Sequence, residues 1–326
     1  MIAFTRRAAG KTIAALALAG VFGAAASVSA SAEDRVLRIG YQKYGTLILL
    51  KGKGTLEERL KPLGVTVKWA EFQFGPPLLE AVNAGAIDFG TTGEAPPIFA
   101  QAASNRLVYV ANDPESPKGE AILVHKDSPI KTLADLKGKN VAVAKGSNAH
   151  FLLVKALEKG GVGYDDIKTS FLAPADARAA FERKSVDAWS VWDPYYAAAE
   201  AAGARVLTDG TGIVANHQFF LSARDYADKN SDILKIAVEE LRKVEDWVAK
   251  DPKAAAEELA PIVGIPSSLL VTAVARTGLG VAPLTPEVVA AQQKIADTFL
   301  ELKLLPKPIT VSEAVFDLSK AKEAAK

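Results

Sequence analysis

The stretch Glu80–Ile98, EAVNAGAIDFGTTGEAPPI, passes from a helical pattern through an aspartate into a short apolar strand, then through a loop into a helix that starts on two prolines. Ala180–Tyr196, AFERKSVDAWSVWDPYY, follows the same order. Helix, strand, loop, helix is the unit of a mostly parallel sheet covered by helices on both faces. Meeting it twice, far apart in one chain, points to two related α/β lobes. This is a shared logic, not a sequence repeat.

Working outward, the same rhythm fills the chain from Val36 to Asp209. VLRIGYQ (36–42), VTVKWAEF (65–72), IDFG (87–90) and RLVYVAN (106–112) read as strands. Helical patterns over Leu47–Leu60, Pro76–Gly85 and Pro96–Ala103 separate them. After AILVHKDS (121–128) the rhythm restarts, with strands at 140–144, 168–173, 186–191 and 204–209 and a helix over Ala149–Lys159. From Ile233 to Leu302 only amphipathic helices follow. Such a segment makes a poor third domain and is expected to pack back onto the first sheet.

Composition narrows the function. Arg6, Arg7 and Lys11 precede an Ala- and Leu-rich run, Thr12–Ala26, and then Ala30-Ser31-Ala32. Basic, apolar, then small is the order of a secretory signal peptide, expected over residues 1–32. Its removal takes away three positive charges and leaves 36 Lys and Arg against 38 Asp and Glu. There is no basic excess for nucleic acid or anionic lipid. Cysteine is absent, which removes disulfides, thiol catalysis and thiolate metal sites. His125 and His217 have no second ligand at metal spacing, and no cofactor-binding motif occurs.

Four loops follow strands in this reading: Tyr41–Gly45, Gly90–Glu94, Lys145–His150 and Trp192–Tyr195. Open α/β sheets bind ligands beyond the carboxyl ends of their strands, where helix N-termini attract anions. The Thr-Thr-Gly and Gly-Ser-Asn loops share an inventory of glycine, hydroxyl donors and a helix start. Each also has a purely structural reading. Ser147 suits a helix N-cap, Thr91 and Thr92 suit a strand end, and His150 lies on an apolar stripe with Leu153, Val154 and Leu157. Trp192 and Tyr195 suit a core or the wall of an organic tail. Ser147, His150 and Asp193 contain the residue types of a hydrolytic triad, but AKGSNAH is not a G-x-S-x-G elbow. Ser and His three apart on one helix also point past reactive geometry.

On RIGYQK, GPPLLEAVNAGAIDFGTTGEAPPIFAQAA, ILVHKDSPIKTLADLKGKNVAVAKGSNAH, APADARAAFERKSVDAWSVWDPYY and ARVLTDG, the chain resembles the aliphatic sulfonate-binding proteins of bacterial ABC importers. These are relatives of the taurine- and nitrate-binding proteins, and the resemblance runs from about Leu37 to Lys307. It implies a type II periplasmic binding fold, two α/β lobes joined by two crossover strands around a ligand cleft. Lobe one is expected over 35–119 plus 222–326 and lobe two over 120–217, with crossovers near Glu120–His125 and Asn216–Ser222. The resemblance implies ligand contacts at Gln42, Lys43, Thr92, Gly93, Glu94, Gly146, Ser147, Asn148, His150, Trp192 and Asp193. It implies a monomeric, periplasmic, non-enzymatic protein, without metal or cofactor, that hands an alkanesulfonate to a permease and its ATPase. Taurine, nitrate or a thiamine precursor are the alternatives within this fold. Tyr44-Gly45-Thr46 departs from the small Gly- and Ser-containing run usual after Lys43, and Glu94 stands where aspartate is common.

Overall fold

The computed structural model describes residues 35–320; the expected signal peptide lies outside them. In chain order the strands are β1 (Arg35–Tyr41), β2 (Val65–Glu71), β3 (Phe89–Gly93), β4 (Leu107–Asn112), β5 (Glu120–Val124), β6 (Asn140–Val143), β7 (Lys168–Phe171), β8 (Ala188–Trp192), β9 (Arg205–Asp209) and β10 (Gln218–Ala223). The helices are α1 (Leu47–Lys53), α2 (Thr55–Leu60), α3 (Gly75–Asn83), α4 (Pro96–Ala103), α5 (Asn148–Lys159), α6 (Pro174–Glu182) and α7 (Tyr195–Ala201). A C-terminal series follows: α8 (Arg224–Lys229), α9 (Ser231–Lys250), α10 (Pro252–Val263), α11 (Ser267–Ala275) and α12 (Pro286–Glu301).

Two five-stranded sheets result, ordered β2-β1-β3-β10-β4 and β7-β6-β8-β5-β9. In each, four strands run in one direction, and a strand arriving from elsewhere in the chain, β10 in the first and β5 in the second, lies antiparallel among them. β4, β5, β8 and β10 are buried along their whole length, as strands covered on both faces must be. That is why they read as continuous apolar runs rather than as alternation.

Three sequence expectations shift. The single helix over Leu47–Leu60 is two helices, because Gly54 adopts φ +68° and ends α1 while opening α2. Thr91, Thr92 and Gly93 belong to β3 rather than to a loop, since β10 pairs Phe219 with Thr92 and Gln218 with Gly93. The segments expected as crossovers are internal strands, β5 and β10. The chain passes between the sheets over residues 113–119 and 210–217.

The C-terminal helices do cover the first sheet. In α9, Ile233, Leu234, Ala237, Leu241, Val244 and Val248 are buried at helical spacing against a core containing Leu37, Phe89 and Phe220. They also reach the second sheet. Phe299 of α12 sits 4.9 Å from the ring of Phe99 in α4 and 5.8 Å from that of Phe151 in α5. One apolar cluster therefore runs unbroken from Ile98 and Tyr109 through Phe299 to Leu153 and Trp189.

Candidate functional site

The four loops read from the sequence follow the carboxyl ends of β1, β3, β6 and β8, parallel strands of the two sheets. Those after β3 and β6 meet each other at Gly93 and Asn148, and those after β1 and β8 meet between the lobes. A cavity of about 200 Å³ lies there, lined from one side by Gln42, Lys43, Tyr44 and Phe72 and from the other by Trp192 and Tyr195. Three of the residues implied by the resemblance thus face open space: Gln42, Lys43 and Trp192. Gln42 is itself fixed, its amide donating to the Thr91 carbonyl at 2.9 Å. Lys43 lies at the rim, 3.6 Å from Glu71.

The remaining residues are brought together, but mostly against one another. Gly93 meets Asn148 so closely that a Cβ there would lie 2.8 Å from the Asn148 amide carbon. Asn148 opens α5, and its Nδ2 donates to Glu120 Oε2 at 2.6 Å and to Asn216 Oδ1 at 3.1 Å. Asn216 Nδ2 donates in turn to the Ser116 carbonyl at 2.9 Å. Glu94 Oε2 accepts the backbone N–H of His217 at 3.0 Å. One network so ties β3, α5 and both passages between the sheets.

The Gly-Ser-Asn turn is built from within. Gly146 has φ +72°, a conformation that glycine adopts without strain. Ser147 caps α5: its hydroxyl accepts the His150 N–H at 3.2 Å and donates to the Ala144 carbonyl at 2.7 Å. His150 Nδ1 accepts the Gly146 N–H at 3.2 Å, which places its proton on Nε2, 2.6 Å from the Tyr164 hydroxyl. Burial, and then the charge of Lys145, lowers the His150 pKa to about 4, so the ring is neutral. His150 therefore positions the turn, and its ring is not bonded to the Ser147 hydroxyl as a hydrolytic pair requires. Thr92 likewise spends its hydroxyl on the Gly93 carbonyl at 3.0 Å. By helix geometry the amides of Asn148 and Ala149 lack intrahelical acceptors, so they are the turn's available donors.

The electrostatics at this junction are acidic. Burial raises the Glu94 pKa to about 7, against the stabilising N–H groups of His217 and Asn216. Burial and the nearby Glu94 push Glu120 well above the carboxylate range, and burial with Glu245 does the same to Asp113. Glu94 Oε1, Asp113 Oδ1 and Glu120 Oε1 are buried without a hydrogen-bond partner among the described residues. Asp193, beside Trp192, is raised to about 6 by burial, partly offset by Arg276. Arg276 ends α11, yet it reaches Glu200 of α7 at 2.5 Å, Asp193 at 3.4 Å and the face of Tyr196 at 3.9 Å.

Glu120, Asn216 and Arg276 lie outside the candidate residues that the sequence offers. Glu120 carried the only usable signal, an acid at the head of the apolar strand Ala121–Val124. For Asn216 and Arg276 the partners lie too far along the chain for any local pattern to indicate them.

This architecture has known counterparts. The chain is 42% identical over 310 residues, 94% of its length and 97% of the other's, to a protein of Escherichia coli (strain K12) named for binding aliphatic sulfonates. The chain belongs to the aliphatic sulfonate-binding family. A family model described as NMT1/THI5 like also matches residues 64–255. Among solved structures, the alkanesulfonate-binding protein SsuA of Xanthomonas axonopodis pv. citri bound to MOPS is 41% identical, with a TM-score of 0.83 over 88% of this chain and 100% of that one. The periplasmic aliphatic sulphonate binding protein SsuA of Escherichia coli is 42% identical, with a TM-score of 0.79 over 87% of this chain and 92% of that one. The type II periplasmic binding fold expected from the sequence is thus the fold of this family. A desulfurization enzyme, DSZB, shares the fold at 16% identity and a TM-score of 0.62.

Proposed function

We propose that this protein is the periplasmic solute-binding component of an ABC importer and that it captures aliphatic sulfonates. The observation that carries the reading is the interlobe cavity, with an amide and an ammonium at Gln42 and Lys43 and aromatic walls at Phe72, Trp192 and Tyr195. A sulfonate is anionic at any physiological pH and offers three acceptor oxygens. Neutral donors and helix N-termini satisfy it without a costly buried cation. An alkyl tail then lies against the aromatic walls. Capture needs no catalysis, because a ligand that bridges the lobes shifts the open–closed equilibrium toward closure.

In this reading residues 35–119 with 222–326 move as one lobe and 120–217 as the other. The first turns of α4 and α5, with Thr92, Gly93 and Glu94 facing Gly146, Ser147 and Asn148, form the head-group end. The chain is exported with residues 1–32 removed, acts as a monomer, and delivers its ligand to a membrane permease and its ATPase. Thermal-shift screening of the mature protein against alkanesulfonates, taurine, sulfate and nitrate tests it. Alkanesulfonates should raise the melting temperature most, with ~2.7 kcal/mol of stabilisation at a ligand concentration a hundred times Kd. A response to nitrate or sulfate alone would overturn the substrate class. Intact mass of the exported protein checks the cleavage.

A further inference from the structure

A second cavity, about 40 Å³ and also open at one side, lies next to the cleft among Leu49, Leu259, Leu270 and Val274 of the C-terminal helices and α1, with Lys43, Tyr44 and Asp193 in its wall. Among the described residues only Lys43 and Tyr44 line both cavities. The two threonine hydroxyls in the wall of the inner one are already committed, and Asp193 in the same wall repels an anion. Thr46 donates to Glu245 at 3.1 Å, and Thr277 donates to the Ala273 carbonyl at 3.2 Å. The inner cavity thus offers an alkyl group apolar contact and offers an anion little.

Tyr44 is held firmly in its place. Gln42 and Tyr44 form a bridge with each other, Gly45 turns the chain at φ +75°, and Gln42 is anchored to Thr91. Burial raises the Tyr44 pKa, with Asp113, Asp193 and Glu120 adding to it, so the hydroxyl stays protonated at the acidic junction between the lobes.

We propose that Tyr44 is the stop that limits the length of the ligand's tail, standing between the cleft and the inner cavity, and that the inner cavity serves as an apolar subsite for the tail's far end only where residue 44 is small. The inference rests on the sulfonate reading above and adds the direction of the tail and the residue that sets its limit. The charged head is confined to the cleft, since Leu49, Leu259, Leu270 and Val274 give it no donor. The tail points at Tyr44. Substituting Tyr44 with a small residue joins the two cavities.

Isothermal titration of the mature protein with straight-chain alkanesulfonates of increasing length, from ethane- to decanesulfonate, tests this. In the parent protein affinity should rise about fourfold per methylene and then stop rising once the tail meets Tyr44. In Tyr44→Ala the rise should continue for several more carbons, so that the longest sulfonates gain at least about tenfold over the parent while ethanesulfonate does not. Tyr44→Phe keeps the ring and should keep the parent's break. Tyr44→Leu, which retains more of the loop's packing, carries the same expectation as alanine in reduced form and serves where the alanine variant does not fold. A break at the same length in the parent, Tyr44→Ala and Tyr44→Leu, with sulfonates still bound, overturns the stop and leaves the sulfonate reading standing. A folded parent that binds no alkanesulfonate of any length overturns both.

Discussion

Gly93 and Gly146 do different work, and substitution separates them. At Gly93 the constraint is space: a Cβ would meet the Asn148 side chain at 2.8 Å, and Asn148 is held there by Glu120 and Asn216. The clash joins residues of opposite lobes, so it burdens the closed form and spares an open one. Gly93→Ala is expected to weaken sulfonate binding by at least about tenfold, ~1.4 kcal/mol, with the melting temperature of the free protein nearly unchanged. Adding Asn148→Ala should recover part of the loss, and the double-mutant cycle should show coupling of about 1 kcal/mol or more. Additive losses would mean that the two residues do not meet when ligand is bound. At Gly146 the constraint is conformation, since φ is +72° and a Cβ would make only ordinary contact with Phe99 at 3.4 Å. Gly146→Ala should cost about 1–2 kcal/mol of stability. Gly146→Asn should cost less, because Asn tolerates the left-handed region better. Equal thermal unfolding of the two variants would argue that the turn relaxes.

At the level of elements, α11 is fastened to α7 through Arg276. Its guanidinium serves Glu200, the buried Asp193 and the Tyr196 ring together. Removing it leaves Asp193 buried with the Ala197 amide as its remaining partner. Arg276→Ala is expected to cost about 3 kcal/mol at pH 7.5. It should cost less at pH 5.5, because Asp193 titrates near 6 and can take up a proton instead. Urea unfolding at both pH values decides it, and an equal loss at the two would show that the stacking on Tyr196, not the charge, matters. This clasp also marks the limit of what the chain order reveals. The alternation of strands and helices, the cap at Ser147 and the return of the C-terminal helices were all legible, because each shows in local period or spacing. The length of β3 was not, because β10 arrives from beyond residue 200 to pair with Thr91–Gly93. Nor was the division of labour inside the Gly-Ser-Asn turn. His150 has the residue type of a ligand contact, but its ring is taken up by the Gly146 N–H and Tyr164. Glu120, Asn216 and Arg276 owe their roles wholly to partners on other elements.

For the molecule as a whole, the junction between the lobes should make stability fall as pH rises above neutrality. Glu94 titrates near 7 in the folded protein against 4.5 as its ordinary value. The folded state therefore holds a proton that the unfolded chain has released. That contribution is fully present below pH 4.5 and is lost as pH rises through 7. Glu120 and Asp113 are shifted in the same direction by burial. His150 acts in the opposite sense: its folded pKa is near 4, so between pH 6.5 and 8 the unfolded chain gives up a proton that the folded ring never held, which offsets the decline by about 0.4 kcal/mol in parent and variant alike. Between pH 6.5 and 8 Glu94 alone should lower the unfolding free energy by about 1 kcal/mol. Glu94→Gln keeps an oxygen for the His217 N–H and cannot ionise, so it should flatten this decline and be the more stable protein at pH 8. Urea unfolding across this range, with parent and variant at matched ionic strength, measures it. Parallel slopes in the two proteins would show that Glu94 is not the group that titrates.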